Sequence, residues 1–232
     1  MTPKLALVAL LGFTIVSCSS LPPGTATMTK TSQAATTPQQ ALQKLKDGNA
    51  RFASGKPAHR DHIKQVHETS GGQFPFASLV SCIDSRASAE IIFDQGIGDV
   101  FNARVAGNIV NPDIIGSLEF ASKVAESKLI AVIGHTHCGA IKGACDHVKL
   151  GSLTGLLDKI APAVAATPSA TGELRSSKNG AFVDRVAGSN VRKTMENIRK
   201  GSAILRQMEK DGLIKVVGGM YDLDTGKVSF FD

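Results

Sequence analysis

The chain has 232 residues, of which 42% are hydrophobic and 20% charged, with a formal net charge of +6. This supports one globular domain, which buries roughly 70% of the unfolded chain's surface, and with no Trp and one Tyr the core must be aliphatic. The basic residues are scattered, which disfavours nucleic-acid binding, and four cysteines are too few for a disulfide-stabilised scaffold.

The N-terminus has the pattern of a secretory signal. Lys4 supplies a positive charge, and the apolar run from Leu5 to Val16 is too short to span a bilayer. Ile15-Val-Ser-Cys18 resembles a bacterial lipobox, in which the cysteine is lipidated and becomes the new N-terminus. We therefore expect residues 1–17 to be a signal peptide and Cys18 to carry the only membrane anchor. The protein would then be periplasmic or a lipoprotein on the extracytoplasmic side, and an ordinary cleaved signal with an incidental cysteine is the alternative.

Two segments precede the first predicted strand. Residues 18–36 are rich in Ser, Thr, Ala, Pro and Gly, which predicts a flexible tether before a folded domain over residues 37–232. Thr37-Pro-Gln-Gln40 predicts the start of a helix, with Thr37 as N-cap, proline at N1 and glutamine at N3. Apolar residues at helical spacing extend this helix to about Ala53.

The remaining chain alternates between strand and helix patterns. Strands are predicted over residues 76–83, 99–105, 129–134, 213–221 and 227–231. Helices are predicted over residues 113–124 with Asp113 as N-cap, and over 139–150, 153–166 and 181–210. This order predicts an α/β fold with a mostly parallel central sheet of about four strands. A C-terminal antiparallel strand, flanking helices and an N-terminal helical arm complete it.

Two of the predicted strands end in metal-binding residue types. Val80-Ser-Cys-Ile-Asp-Ser-Arg86 closes the first strand, and His135-Thr-His-Cys138 follows the third. Ligands collect at the carboxyl ends of parallel strands. Two thiolates and an imidazole, from Cys82, His135 and Cys138, suit zinc and leave a fourth position open, as in catalytic sites. His137 in place of His135 is chemically possible.

Asp84 and Arg86 complete the predicted site. Residues 82, 84 and 86 share one side of the chain if the strand continues. Asp84 is then close enough to bind the metal or to accept a hydrogen bond from its water, and Arg86 can hold the carboxylate in a bidentate pair. A carboxylate that moves between metal and guanidinium would act as a gate.

The combined motifs, Cys82-x-Asp-x-Arg86 and His135-x-x-Cys138, resemble those of the β-class carbonic anhydrases. Further similarity lies in Phe93 to Phe101, in Arg104 to Asn108 and in Tyr221 to Lys227. The predicted N-terminal helix is similar to the family's N-terminal arm, so the resemblance covers about residues 37–232.

The resemblance implies a zinc lyase that hydrates carbon dioxide reversibly to bicarbonate and a proton. One Zn²⁺ per chain would be held by Cys82, His135 and Cys138, and its hydroxide would attack carbon dioxide. Asp84 and Arg86 would form the catalytic dyad. In a closed state, Asp84 would take the fourth metal position.

Further implications concern the substrate pocket and the assembly. The resemblance places Gln95, Gly107 and Asn108 at or near the pocket for carbon dioxide. It also implies an intertwined homodimer, often paired into a tetramer, with the active site at the interface.

Other functions stay open. A hydrolase of carbonyl sulfide or carbon disulfide on the same scaffold is the alternative, and the motifs do not distinguish these substrates from carbon dioxide. A non-catalytic zinc protein is expected to lack Asp84 or Arg86, and both are present; a thiol redox protein is expected to carry Cys-x-x-Cys, which is absent. Cys145 is expected to pack as a small apolar group, with a disulfide to another chain as the alternative. No histidine is singled out as a proton shuttle.

Overall fold

The structure, a computed structural model, describes residues 25–231 and contains a five-stranded sheet. The strands are Ala77–Ser81 (β1), Val100–Arg104 (β2), Leu129–His135 (β3), Lys215–Tyr221 (β4) and Val228–Phe231 (β5). Their order is β2-β1-β3-β4-β5; the first four are parallel and β5 is antiparallel to β4. The predicted α/β fold is confirmed. The predicted signal peptide and Cys18 lie outside the described residues and stay predictions.

Helices connect the strands and precede the first of them. They are Lys30–Ala34 (α1), Pro38–Ala53 (α2), His62–Thr69 (α3), Ala89–Ile92 (α4), Pro112–Glu119 (α5), Gly139–Cys145 (α6), Gly151–Asp158 (α7), Ala161–Ala166 (α8), Gly180–Gly201 (α9) and Ala203–Lys210 (α10). A 3₁₀ turn spans Ala106–Asn108, and a π-helical turn, Phe120–Val124, continues α5. Within residues 25–231, no helix is long and apolar enough to cross a membrane.

Several helix boundaries differ from the predicted ones. The predicted helix 153–166 is two helices, α7 and α8, and the predicted helix 181–210 is interrupted at Ser202, whose hydroxyl caps α10 by accepting the Leu205 N–H at 3.0 Å. The N-cap of α5 is Asn111 and not Asp113, because Pro112 occupies the first helical turn and the Asn111 side chain accepts the Ile114 N–H at 2.9 Å.

The central strands β1 and β3 are buried along their whole length on both faces, which explains why both are rich in apolar residues. Side chains at alternate strand positions pack with α2 on one face: Leu79, Leu129, Ala131 and Ile133. The intervening side chains pack with α9 and α10 on the other face: Val80, Ile130 and Val132. The core therefore holds β1 and β3 side by side, with their carboxyl ends at one edge of the sheet.

The predicted tether over residues 18–36 is wrong for the part that the structure describes. Residues 30–34 form α1, with Thr29 in a capping box with Ser32. The side chain of Gln33 is 2% exposed and donates to the Pro75 carbonyl at 2.7 Å and to the Ala125 carbonyl at 2.8 Å. The polar composition predicted a tether because the segment has few apolar side chains. In the structure the segment is held by buried hydrogen bonds instead. The helix predicted from Thr37 is confirmed, together with its capping box.

We predict that Gln33→Ala lowers the free energy of unfolding by about 1–3 kcal/mol, because it removes the donor of two carbonyl groups. The measurement is denaturant unfolding at a fixed protein concentration. Gln43→Ala is the control, since Gln43 is exposed and bonds only to Asp47 one helical turn away; its effect should stay within about 0.5 kcal/mol. Equal effects of the two substitutions would show that the two buried hydrogen bonds of Gln33 add nothing to stability.

Candidate metal centre

Three ligand side chains meet at the carboxyl edge of the sheet. Cys82 directly follows β1, His135 ends β3, and Cys138 is the N-cap of α6. Their ligand atoms all lie within 4.8 Å of one another, and the two sulfurs are 4.0 Å apart. All three side chains are buried. Within residues 25–231, these three residues are the group of His, Cys, Asp or Glu side chains whose ligand atoms lie close enough together to hold a metal ion. The sequence predicted the same three residues.

Local hydrogen bonds fix the orientation of His135. Its Nδ1 lies 2.8 Å from the Thr136 carbonyl, so Nδ1–H donates and Nε2 keeps its lone pair. Thr136 is itself held against the end of β4, because its N–H donates to the Tyr221 carbonyl at 3.0 Å and its hydroxyl accepts the Leu223 N–H at 3.0 Å. The imidazole thus has one tautomer and one orientation, as is usual for metal-binding histidines.

The donor set fits zinc. His135 Nε2 is buried and has no hydrogen-bond partner among the described residues, an arrangement that costs free energy unless a ligand occupies the nitrogen. The same nitrogen belongs to the group that contains both sulfurs. Two sulfurs and one imidazole nitrogen suit zinc and exclude magnesium or calcium, which prefer oxygen ligands.

The two thiols share one proton when no metal is bound. The hydrogen bond from Cys138 lowers the pKa of Cys82, and that bond, together with burial, raises the pKa of Cys138. The Gly107 N–H also lies 3.4 Å from the Cys82 sulfur and stabilises its thiolate. Burial lowers the pKa of His135, but its contacts with the Cys82 thiolate and the Thr136 carbonyl outweigh burial and raise it.

Asp84 and Arg86 form the bidentate pair that the sequence predicted. Arg86 Nε lies 2.9 Å from Asp84 Oδ1, Nη2 lies 2.8 Å from Oδ2, and the Arg86 backbone N–H donates to Oδ1 at 3.0 Å. These bonds hold the pKa of the Asp84 carboxyl well below its usual range. Asp84 Oδ2 is 3.8 Å from His135 Nε2, so the ionised carboxylate lies beside the three ligands while bound to Arg86.

Arg104 holds the chain between Cys82 and Asp84 in place, a role that motif reasoning missed. From the end of β2, its Nε donates to the Cys82 carbonyl at 2.9 Å and its Nη2 to the Asp84 carbonyl at 2.6 Å. Arg104 belongs to the Arg104–Asn108 motif, so the sequence marked the residue without indicating this contact.

The geometry favours His135 over His137 as the ligand. The His137 side chain is 44% exposed, and its Nε2 lies 3.3 Å from Asp224 Oδ2. The backbone of His137 is left-handed, with φ of 57°, and its N–H donates to Asp184 Oδ1 at 3.0 Å. Asp184 lies on α9 and therefore helps to hold the turn between His135 and Cys138, a role that no local pattern indicated.

The three predicted pocket residues do not lie together in the single chain. Gly107 contacts the Cys82 sulfur, and the buried Asn108 next to it has a side-chain nitrogen without a hydrogen-bond partner among the described residues. Gln95 instead donates to the Phe93 carbonyl at 2.5 Å and lines a cavity of about 660 Å³ that none of the three metal-binding residues lines. One chain alone therefore does not bring Gln95 to the centre.

Cys145 is buried in the apolar cluster that surrounds α6. It does not belong to the group of three metal-binding residues. Burial raises the pKa of its thiol. The expectation that Cys145 packs as a small apolar group is confirmed within the chain.

Comparisons with known proteins find similar sequences over most of this chain. The sequence model of the family described as carbonic anhydrase matches residues 77–228. Carbonic anhydrase 2 of Mycobacterium tuberculosis H37Rv is 34% identical over 204 residues, which cover 85% of this chain and 94% of the relative. The carbonic anhydrase of Mycolicibacterium smegmatis is 36% identical over 198 residues, covering 82% and 92%.

Solved structures share the fold. The β-carbonic anhydrase CafA of Aspergillus fumigatus matches with a TM-score of 0.63 at 27% identity, covering 84% of this chain and 90% of that one. A tetrameric β-carbonic anhydrase of Sordaria macrospora matches with a TM-score of 0.61 at 23% identity, covering 73% and 90%.

We predict that zinc binding near pH 7 releases about one proton from the thiol pair, because Cys138 is protonated without metal and must ionise to bind it. Any His135 that is protonated adds to this release. The apparent affinity should therefore rise with pH, by roughly tenfold per unit for each proton released. Calorimetric titration in buffers of different ionisation enthalpy measures the release.

Cys145→Ala is the control for this titration and should leave the proton release unchanged, because Cys145 lies outside the ligand group. Zinc binding without net proton release would show that both sulfurs are already ionised in the metal-free protein, contrary to the raised pKa of Cys138.

Proposed function

The chain belongs to the β-class carbonic anhydrases, and we propose that it hydrates carbon dioxide at a zinc site held by Cys82, His135 and Cys138. The products are bicarbonate and a proton, and each chain takes one Zn²⁺. The observation that carries the proposal is the buried nitrogen His135 Nε2, which has no hydrogen-bond partner within residues 25–231 and lies within 4.8 Å of two sulfurs.

The metal ligands and Asp84 have different roles in the proposed reaction. The two thiolates and His135 Nε2 supply three ligands and leave the fourth position for the reaction. A zinc ion held by these three ligands would lower the pKa of a coordinated water to about 7 and would so supply a hydroxide nucleophile at neutral pH. Asp84 stays ionised because of Arg86, and its Oδ2, 3.8 Å from His135 Nε2, is placed to accept a hydrogen bond from the reacting water.

Arg86 determines where the Asp84 carboxylate lies. Three N–H donors of Arg86, two from the guanidinium and one from the backbone, bind the two carboxylate oxygens. In the proposed closed state, Asp84 would exchange its two guanidinium bonds for the fourth ligand position. The pair therefore supports the gate that the sequence predicted, with the fourth position available while Asp84 is bound to Arg86.

The position of Gln95 supports an assembly of two or more copies. Its cavity is also lined by Ile91 and Ile97, whose side chains are exposed in the single chain. An exposed apolar patch of this kind favours an interface. In a homodimer or tetramer, Gln95 of one copy would approach the centre of its partner, and Asn108 would supply an amide donor from the same chain as the zinc ligands.

The direct test is stopped-flow hydration of carbon dioxide by the purified protein, with the zinc content measured in parallel. We expect activity that rises with pH through about 7 and that chelation of zinc abolishes. A fully zinc-loaded sample that is inactive at pH of about 8 would refute the proposal. Turnover of carbonyl sulfide or carbon disulfide by such a sample would identify the alternative hydrolase.

We predict that Asp84→Asn leaves the zinc content unchanged and lowers kcat by about 100-fold or more, because an amide is a poor substitute for the charged acceptor. Both quantities are measured on one preparation, by metal analysis and by stopped-flow kinetics. Asp113→Asn is the control, since Asp113 is exposed on α5, and should retain full activity. Loss of zinc from Asp84→Asn would mean instead that Asp84 is a permanent ligand.

A further inference from the structure

A buried amide on α9 connects this helix to the metal centre. Asn190 is 1% exposed and lies among the apolar side chains with which α9 packs on the sheet. A buried amide group is unfavourable unless it is hydrogen-bonded. The side-chain nitrogen of Asn190 donates to the Gly107 carbonyl at 2.7 Å, so its partner lies 83 residues away in the 3₁₀ turn that follows β2.

Gly107 connects Asn190 to the metal centre, because it contacts Cys82 as well. Its N–H lies 3.4 Å from the Cys82 sulfur, and its backbone has φ of 69°, which favours glycine. A Cβ atom at this position would lie 2.6 Å from Ile160 Cδ1 and 3.4 Å from the Cβ of Ala140, two residues after Cys138. The carbonyl of Gly107 is thus bound by α9 while its N–H faces the thiolate.

We infer that Asn190 is a positioning residue of the zinc centre, which holds the Gly107 N–H against the Cys82 sulfur and so orients that ligand toward the metal. The inference rests on the zinc site proposed above. Asn190 does not touch the metal, and its effect passes through one carbonyl group and one N–H group of the same glycine. Groups that orient metal ligands in this way typically change metal affinity by about 10- to 100-fold when they are removed.

Asn49 provides a matched control within the same chain. It is also a buried asparagine whose side-chain nitrogen donates to backbone carbonyls, those of Ile92 and Gly226, each at 2.9 Å. It lies on α2 and contacts no residue of the centre through these bonds. Asn49→Ala therefore reports the cost of losing a buried amide without any effect on a zinc ligand.

The test compares Asn190→Ala and Asn49→Ala in the full folded domain. Zinc affinity is measured by competition with a chromophoric chelator, the cobalt-substituted protein reports the thiolate-to-metal absorption band, and denaturant unfolding reports stability. Both variants are expected to lose stability. Only Asn190→Ala should weaken zinc binding, by about 10- to 100-fold, and shift the cobalt band.

The outcomes separate this inference from the proposed function. A parent protein that binds no zinc refutes the zinc site itself. If the parent protein binds zinc and Asn190→Ala binds it no more weakly than Asn49→Ala does, the positioning role alone is overturned. If Asn190→Ala does not fold, Asn190→Ser, which keeps a shorter donor, takes its place and should also weaken zinc binding. Failure of both variants to fold would overturn the inference, because Asn190 would then serve the fold.

Discussion

The parallel pairing of β1 with β3 is the interaction on which the metal centre depends. The register pairs Ser81 with Ile133, so Cys82 leaves the sheet next to the end of β3, where His135 lies. A shift of one residue would move the side chains of one strand to the opposite face. That shift is prevented because both strands are buried on both faces, where each alternate set of side chains already has its own helices to pack against.

Burial and charge oppose each other at this edge of the sheet. The centre places two sulfurs 4.0 Å apart in a buried site, so two thiolates without a cation would repel each other strongly. The metal-free protein meets this constraint by keeping Cys138 protonated. A bound metal would replace that proton with a divalent charge and would give His135 Nε2 the partner that it lacks within residues 25–231. Metal binding would then be coupled to the stability of this edge.

Local sequence chemistry predicted the features whose determinants are close together in the chain. The capping box at Thr37 and the two ligand motifs at strand ends are of this kind. Pro112 also marked Asn111 as the N-cap of α5, because proline prefers the first helical position, and Asp113 was the wrong choice for that reason. The structural role of Gln33 was missed because its side chain binds two carbonyl groups that are 42 and 92 residues away in the sequence.

The same distinction explains why the contributions of α9 were invisible in the sequence. Asp184 binds the His137 N–H, next to one ligand segment, and Asn190 binds Gly107, which contacts Cys82 in the other. Each is a single polar residue on an amphipathic helix, a pattern that ordinarily indicates nothing beyond packing. Gly134 allows this helix to lie close to β3, since a Cβ there would be 2.6 Å from Val191 Cγ2. One helix thus contacts both segments of the centre, and its packing on the sheet sets their relative position.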